Sequence, residues 1–220
     1  MSSTSRFPEI LPGILEKEWA SIEERLELAR PFAKAIHIDL LDGKFAPNTS
    51  FLDPKPFAKY KDTFLLELHM MVHEPIDYLQ AFAEAGFRRF IGHVEQMSDQ
   101  EAFVSKAQRY GEAMLGIDAK TPVAAITVPE IDLDGILVMT VNAGFSHQQF
   151  MPECLEKVRF LVEKTEIPIA VDGGINDTTI TQAFSAGASH FVSTNFIFVK
   201  GEPETQFQIL QKLLASTDGE

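Results

Sequence analysis

The 220-residue chain has a single cysteine, Cys154. A lone thiol rules out an internal disulfide, and without a CxxC pair there is neither a redox motif nor a thiolate metal site, so the cysteine usage points to a reducing cytoplasm. Long apolar runs are also missing. Nothing reads as a membrane span, and Met1-Ser2-Ser3-Thr4-Ser5-Arg6 lacks the apolar stretch of a secretory signal. Basic residues are scarce: 19 Lys and Arg stand against 32 Asp and Glu, a formal net charge of −13. No Lys/Arg cluster suits a phosphate backbone, which argues against nucleic acid as a partner. The charges are mostly mixed, as in Glu16-Lys17-Glu18 and Glu23-Glu24-Arg25, and read as solvated helix faces. Finally, Leu11-Pro12-Gly13-Ile14 offers no GxGxxG, so the first turn is not built for a dinucleotide.

At 45% hydrophobic residues, the chain can fill one core and is short for two ordinary domains. Residues 1–220 are therefore read as one domain. Short β-rich runs recur at Glu9–Leu15, Ala35–Leu40, Phe64–His69, Arg89–Glu95, Ala113–Ala119, Gly135–Val141, Ile167–Asp172 and Ala188–Ser193. Segments of helical composition lie between them, including Trp19–Arg30, Ile76–Gly86, Asp99–Gly111 and Cys154–Lys164. Strands alternating with helices call for a parallel sheet, and eight such units predict a (β/α)8, or TIM, barrel. An open doubly wound sheet uses the same alternation and is the structural runner-up.

Four side chains at or near strand C-termini stand out: His37 and Asp39 on one run, His69 and Asp172 closing two others. The period of two puts His37 and Asp39 on one face, and closure of the barrel can bring all four to its mouth. Two imidazoles and two carboxylates form a first shell for a borderline divalent cation, with carboxylates that can also move protons. Met71, Met139 and the loops Asn142–Gln148 and Gly173–Asn176 reach the same end. His93 has similar placement but no partner pattern, and is read as structural.

These residues resemble the ribulose-phosphate 3-epimerases and close relatives acting on other ketose phosphates. The similarity runs through Pro12-Gly13-Ile14-Leu15, Ile36–Asn48, Glu67–Val72, Val138–Phe145 and Val171–Ile175, five fragments in order. The resemblance implies an isomerase of carbohydrate metabolism, in the pentose phosphate pathway. It implies that His37, Asp39, His69 and Asp172 bind one divalent ion (zinc, iron, manganese or cobalt) and that Asp39 and Asp172 serve as acid and base. Met71 and Met139 would pack beside an enediolate. Gly144, Phe145, Ser146, His147, Gly173, Gly174, Thr194 and Asn195 match loops that would hold the substrate phosphate. A homo-oligomer is the further implication.

The chain departs from the family around the substrate. A serine that contacts substrate is Gly13 here, a Gly-Gly pair reads Ser146-His147, a Gly-Ser reads Thr194-Asn195, and a third methionine is Leu41. The leading reading is interconversion of ribulose 5-phosphate and xylulose 5-phosphate. The alternatives are the same reaction on a hexulose 6-phosphate (allulose/fructose), a lyase on the same barrel, and a non-catalytic sugar-phosphate binder. The lyase relatives carry Asp-x-Lys-x-x-Asp, whereas this chain has His37-Ile38-Asp39-Leu40-Leu41-Asp42 and no lysine before Lys44.

Overall fold

A computed structural model describes residues 8–145 and 148–217. Its strands are β1 (Glu9–Ile14), β2 (Ala35–Leu41), β3 (Leu65–Met71), β4 (Phe87–His93), β5 (Glu112–Ile117), β6 (Gly135–Met139), β7 (Ile169–Asp172) and β8 (His190–Ser193). Each pairs in parallel with the next, and β8 returns to β1 through Glu9↔His190 to Pro12↔Ser193. That last pairing closes the barrel and excludes the open sheet. The helices are α1 (Trp19–Ala29), α2 (Leu79–Glu84), α3 (Gln100–Ala107), α4 (Leu155–Lys164), α5 (Thr179–Ser185), α6 (Asn195–Phe198) and α7 (Pro203–Thr217).

Local chemistry sets several boundaries. Pro168 has no N–H for a strand ladder, and β7 begins one residue after it. The helix expected over Ile76–Gly86 splits into a 3-10 turn, Pro75–Asp77, and the short α2; Glu74, at φ +49°, bends the chain before the turn. Asp99 caps α3 by accepting from the Ala102 N–H at 2.9 Å. The crossovers after β2 and β5 carry only 3-10 turns, at Lys55–Tyr60, Val123–Ala125 and Glu130–Asp132.

Strand alternation then sorts the side chains. Ile36, Ile38 and Leu40 of β2 join the apolar layer under the helices, where α1 buries Ile22, Leu26 and Ala29, one helical face. Phe57, Phe82 and Phe87 are fully buried in the same layer, each contributing about 1.5–3 kcal/mol of apolar burial. The other parity points into the barrel: Leu41, Met71, Ile91, Met114, Leu137, Met139 and Ala170 fill its middle and mouth. Leu11, Ala35 and Val192, with Leu65, form a small apolar group nearer the strand starts. Among the described residues no helix is long and apolar enough to cross a membrane.

Candidate active site

The sheet register assembles the site. Gly13 lies beside His37, His37 beside Glu67, Asp39 beside His69, and Met139 beside Asp172. All of these are inward positions, so strand pairing alone brings three of the four expected residues together, and barrel closure adds Asp172.

His37, Asp39, His69 and Asp172 converge, each offering one donor atom within 4.8 Å of the other three. His69 Nδ1 is 2.8 Å from Asp39 Oδ1, and His37 Nε2 is 3.1 Å from His69 Nδ1 and 3.3 Å from Asp39 Oδ1. Asp172 Oδ2 is 3.7 Å from His37 Nε2 and 3.5 Å from His69 Nδ1. A tetrahedral shell with ligand bonds of about 2.0–2.1 Å has edges of about 3.3 Å, so these separations fit one small divalent ion.

The outer hydrogen bonds orient both imidazoles. Glu67 is an acceptor, so His37 Nδ1–H donates to its Oε1 at 2.5 Å and the Nε2 lone pair faces the cluster. His93 Nδ1–H donates to Glu95 Oε2 at 2.9 Å, leaving His93 Nε2 to accept from His69 Nε2–H at 2.8 Å. The Nδ1 lone pair of His69 therefore also faces the cluster. Two nitrogen lone pairs and two carboxylate oxygens can share so small a space only around positive charge.

The pKa shifts express the same demand. Burial opposes a charge on His37, but Asp39 and Glu67 outweigh it and hold the imidazole well above its ordinary range. His69 falls to about 4 through burial, despite the hydrogen bond and charge of Asp39. Burial also opposes ionisation of Asp39, yet hydrogen bonds with His37 and His69 hold it well below the usual carboxylate range. Asp172, without such bonds, is pushed up to about 7 by burial and by the Asp39 charge.

The cavity over this cluster is small, about 80 Å³, and is lined by Asp39, Met71, Met139, Asp172 and Leu15. Gly144, Phe145, Gly173, Gly174, Thr194 and Asn195 share its wall, so the described loop residues singled out from sequence meet there; His37 and His69 are buried behind it. Ser146 and His147 lie outside the described residues. Leu41 occupies the same inward layer as Met71 and Met139. A wider cavity, about 920 Å³, opens at the strand-start side between Glu130–Asp134 and Lys164–Pro168, away from the His/Asp cluster.

The β7 loop is held by its carbonyls. The Thr140 hydroxyl sits between Asp172 O (2.9 Å) and Gly173 O (2.5 Å), Thr179 Oγ1 donates to Gly174 O at 2.8 Å, and Ser193 Oγ donates to Ile175 O at 2.8 Å. Gly173 and Gly174 take φ of +113° and +70°, and a Cβ on Gly174 would press on the Phe150 backbone. At Gly13 a Cβ would run into the Thr194 hydroxyl. The β8 loop thus places a hydroxyl in the space that a side chain at 13 would take.

Two residues to which the sequence assigned no part in the site lie directly behind it. His93 does have partners: it joins His69 to Glu95, which accepts the Asp118 N–H at 2.7 Å, and Asp118 in turn accepts the Ala143 N–H at 2.8 Å. Its support therefore reaches the β6 loop. Glu67, part of a resembling fragment but given no role, directly orients His37. The period of two, counted back from His69, was the signal that places it inside the barrel.

Fold and cluster together define a TIM-barrel enzyme whose imidazoles and carboxylates meet at the strand C-termini. The chain belongs to the ribulose-phosphate 3-epimerase family, whose model matches residues 9–198. It is 34% identical over 212 residues to the cytoplasmic isoform of ribulose-phosphate 3-epimerase from Oryza sativa subsp. japonica, covering 93% of each chain. Ribulose-phosphate 3-epimerase of Treponema pallidum is 35% identical over 199 residues, covering 86% of this chain and 90% of the relative. Among solved structures, KGPDC from Streptococcus mutans superposes with a TM-score of 0.72 at 11% identity, covering 97% of this chain and all of the other. At that identity the likeness concerns the fold. The activity class is that of an isomerase, a ketose-phosphate 3-epimerase.

Proposed function

We propose that this enzyme interconverts D-ribulose 5-phosphate and D-xylulose 5-phosphate with the help of one divalent ion. The observation that carries the reading is the convergence of four oriented donor atoms on one point. His37 Nε2, Asp39 Oδ1, His69 Nδ1 and Asp172 Oδ2 would hold the ion; zinc, iron, manganese and cobalt all suit such a set. When bound, it would supply the positive charge that stabilises the oxygens of an enediolate.

The chain's own residues supply the remaining chemistry. Asp39 and Asp172 come from β2 and β7 and both border the cavity, so a substrate between them presents opposite faces of C3 to the two carboxylates. One removes the proton and the other returns one; their roles exchange with the direction of reaction. Their environments differ, with Asp39 held ionised and Asp172 near neutrality, as suits an acid and base pair. Met71 and Met139 give the intermediate a polarisable apolar wall. Backbone N–H groups of Gly144, Gly173, Gly174, Thr194 and Asn195 would receive the phosphate, with Phe145 beside them in the same wall.

The lone buried Cys154 and the family resemblance favour a cytoplasmic protein, and one curated relative carries the word cytoplasmic in its name. Homo-oligomer formation belongs to the same proposal, and sedimentation velocity tests it. Parallel kinetics on metal-loaded protein test the substrate. We expect kcat/KM for ribulose 5-phosphate to exceed that for allulose 6-phosphate and fructose 6-phosphate; the reverse order would assign a hexulose phosphate. Turnover of none of them would favour a non-catalytic sugar-phosphate binder.

A further inference from the structure

We propose that Arg89, well below the mouth of the barrel, is a positioning residue for the divalent-ion site: acting through Glu67, it keeps the His37 Nε2 lone pair aimed at the cluster. The inference rests on the metal reading above and extends it to a residue with no access to substrate.

Arg89 points into the barrel from β4, and the register sets it between Glu67 and Glu112. It is 6% exposed and, among the described residues, the one buried Lys or Arg. Its Nη1 donates to Glu67 Oε2 at 3.1 Å and to Glu9 Oε2 at 2.9 Å, while its Nε donates to Glu112 Oε2 at 2.5 Å. His190 Nε2 lies 3.0 Å from the same Glu9 oxygen. The guanidinium fork is thus tethered toward the strand starts by two partly exposed carboxylates, while its second Nη1 proton is directed inward to Glu67.

That donor completes Glu67. The carboxylate is 2% exposed, and each oxygen has its own partner: Oε1 takes the His37 proton and Oε2 takes Arg89. Without Arg89, Oε2 has no other hydrogen-bond partner among the described residues, and the carboxylate is held opposite His37 Nδ1 by that single bond alone. The ring is then free to carry its proton on Nε2, which removes a ligand lone pair. Charge leads to the same residue. Asp39, Asp172 and Glu67 are three buried carboxylates along this path, and a dication together with Arg89 balances them.

Affinity for cobalt(II), measured by competition with a chromogenic chelator, tests this independently of turnover. We expect Arg89→Met to weaken cobalt binding about 10–100-fold with an unchanged far-UV spectrum, and Arg89→Lys to recover part of the loss. Glu67→Gln should weaken binding similarly, and adding Arg89→Met to it should cost less than about threefold more, because the link is already broken. A purely structural Arg89 would lower the melting temperature and leave cobalt affinity of the folded protein alone. Cobalt binding by Arg89→Met within about twofold of wild type, or an equal loss with and without Glu67→Gln, overturns the proposal. Should Arg89→Met not fold, Glu67→Gln alone and with Arg89→Met, which removes the buried pair together, make the comparison. A wild-type protein that takes up no cobalt defeats the metal reading itself; tight wild-type binding that is indifferent to Arg89 defeats only this proposal.

Discussion

The Thr194 hydroxyl fills the space that a Cβ on Gly13 would need, so β1 and the loop after β8 are matched at this pair. Val192 Cγ1 crowds the same position at 2.9 Å, while Thr194 Cβ stands clear at 3.6 Å. Gly13→Ala should therefore destabilise the fold by about 1–3 kcal/mol, the usual range for overpacking. Adding Thr194→Ala removes the hydroxyl and should return a good part of the loss, the Val192 contact accounting for the rest. Urea denaturation of both single variants and the double variant measures the coupling, and strictly additive effects would show that the two residues do not share the space.

Acid stability follows from two carboxylates, the buried Glu67 and the partly buried Glu95. Burial raises the pKa of Glu95, but its hydrogen bonds from His93 and the Asp118 N–H bring it down to about 2. Glu67 is likewise brought to about 2, against burial, by His37 and Arg89. An unfolded glutamate titrates near roughly 4.3, so the fold prefers the charged forms. Their stabilisation is complete above that value and is lost as pH falls through about 2. Urea midpoints should drop between pH 5 and pH 2.5, and Glu95→Gln should drop less over the same interval. An unchanged slope in that variant would remove Glu95 from the account.

Loading the cluster should also stabilise the fold. An ion present at 100 times its Kd and bound only by the folded chain adds about 2.7 kcal/mol, which at this chain length is on the order of 5–10 °C in Tm. Protein dialysed against a chelator should gain that shift with cobalt or zinc, and Asp39→Asn should lose most of it. Equal shifts in both proteins would place the ion elsewhere.

Much of this molecule is legible in the sequence because local patterns carry it. All eight strands fall where β-rich runs predict them, and the inward parity of His37, Asp39 and His69 follows from the period of two. Boundaries moved where one residue decided them, as Pro168 does at β7. Register is the part that local pattern does not contain. Glu67 and Arg89 look like ordinary charges near strand starts until β2, β3 and β4 are aligned, when they become a path from His37 to Glu9. His93 has the same history: its role depends on lying next to His69 across a strand pair, 24 residues away in sequence. The close approach of the Thr194 hydroxyl to Gly13 is likewise invisible before β1 and β8 meet.

The most direct test of the central claim is deuterium incorporation at C3, followed by NMR, with metal-loaded protein and ribulose 5-phosphate in heavy water. The account predicts that xylulose 5-phosphate forms with deuterium at C3, and that Asp172→Asn, folded and loaded with the same ion, shows neither deuterium uptake nor epimer. Epimer formed without solvent deuterium, or undiminished turnover by Asp172→Asn, would contradict proton transfer by the two carboxylates.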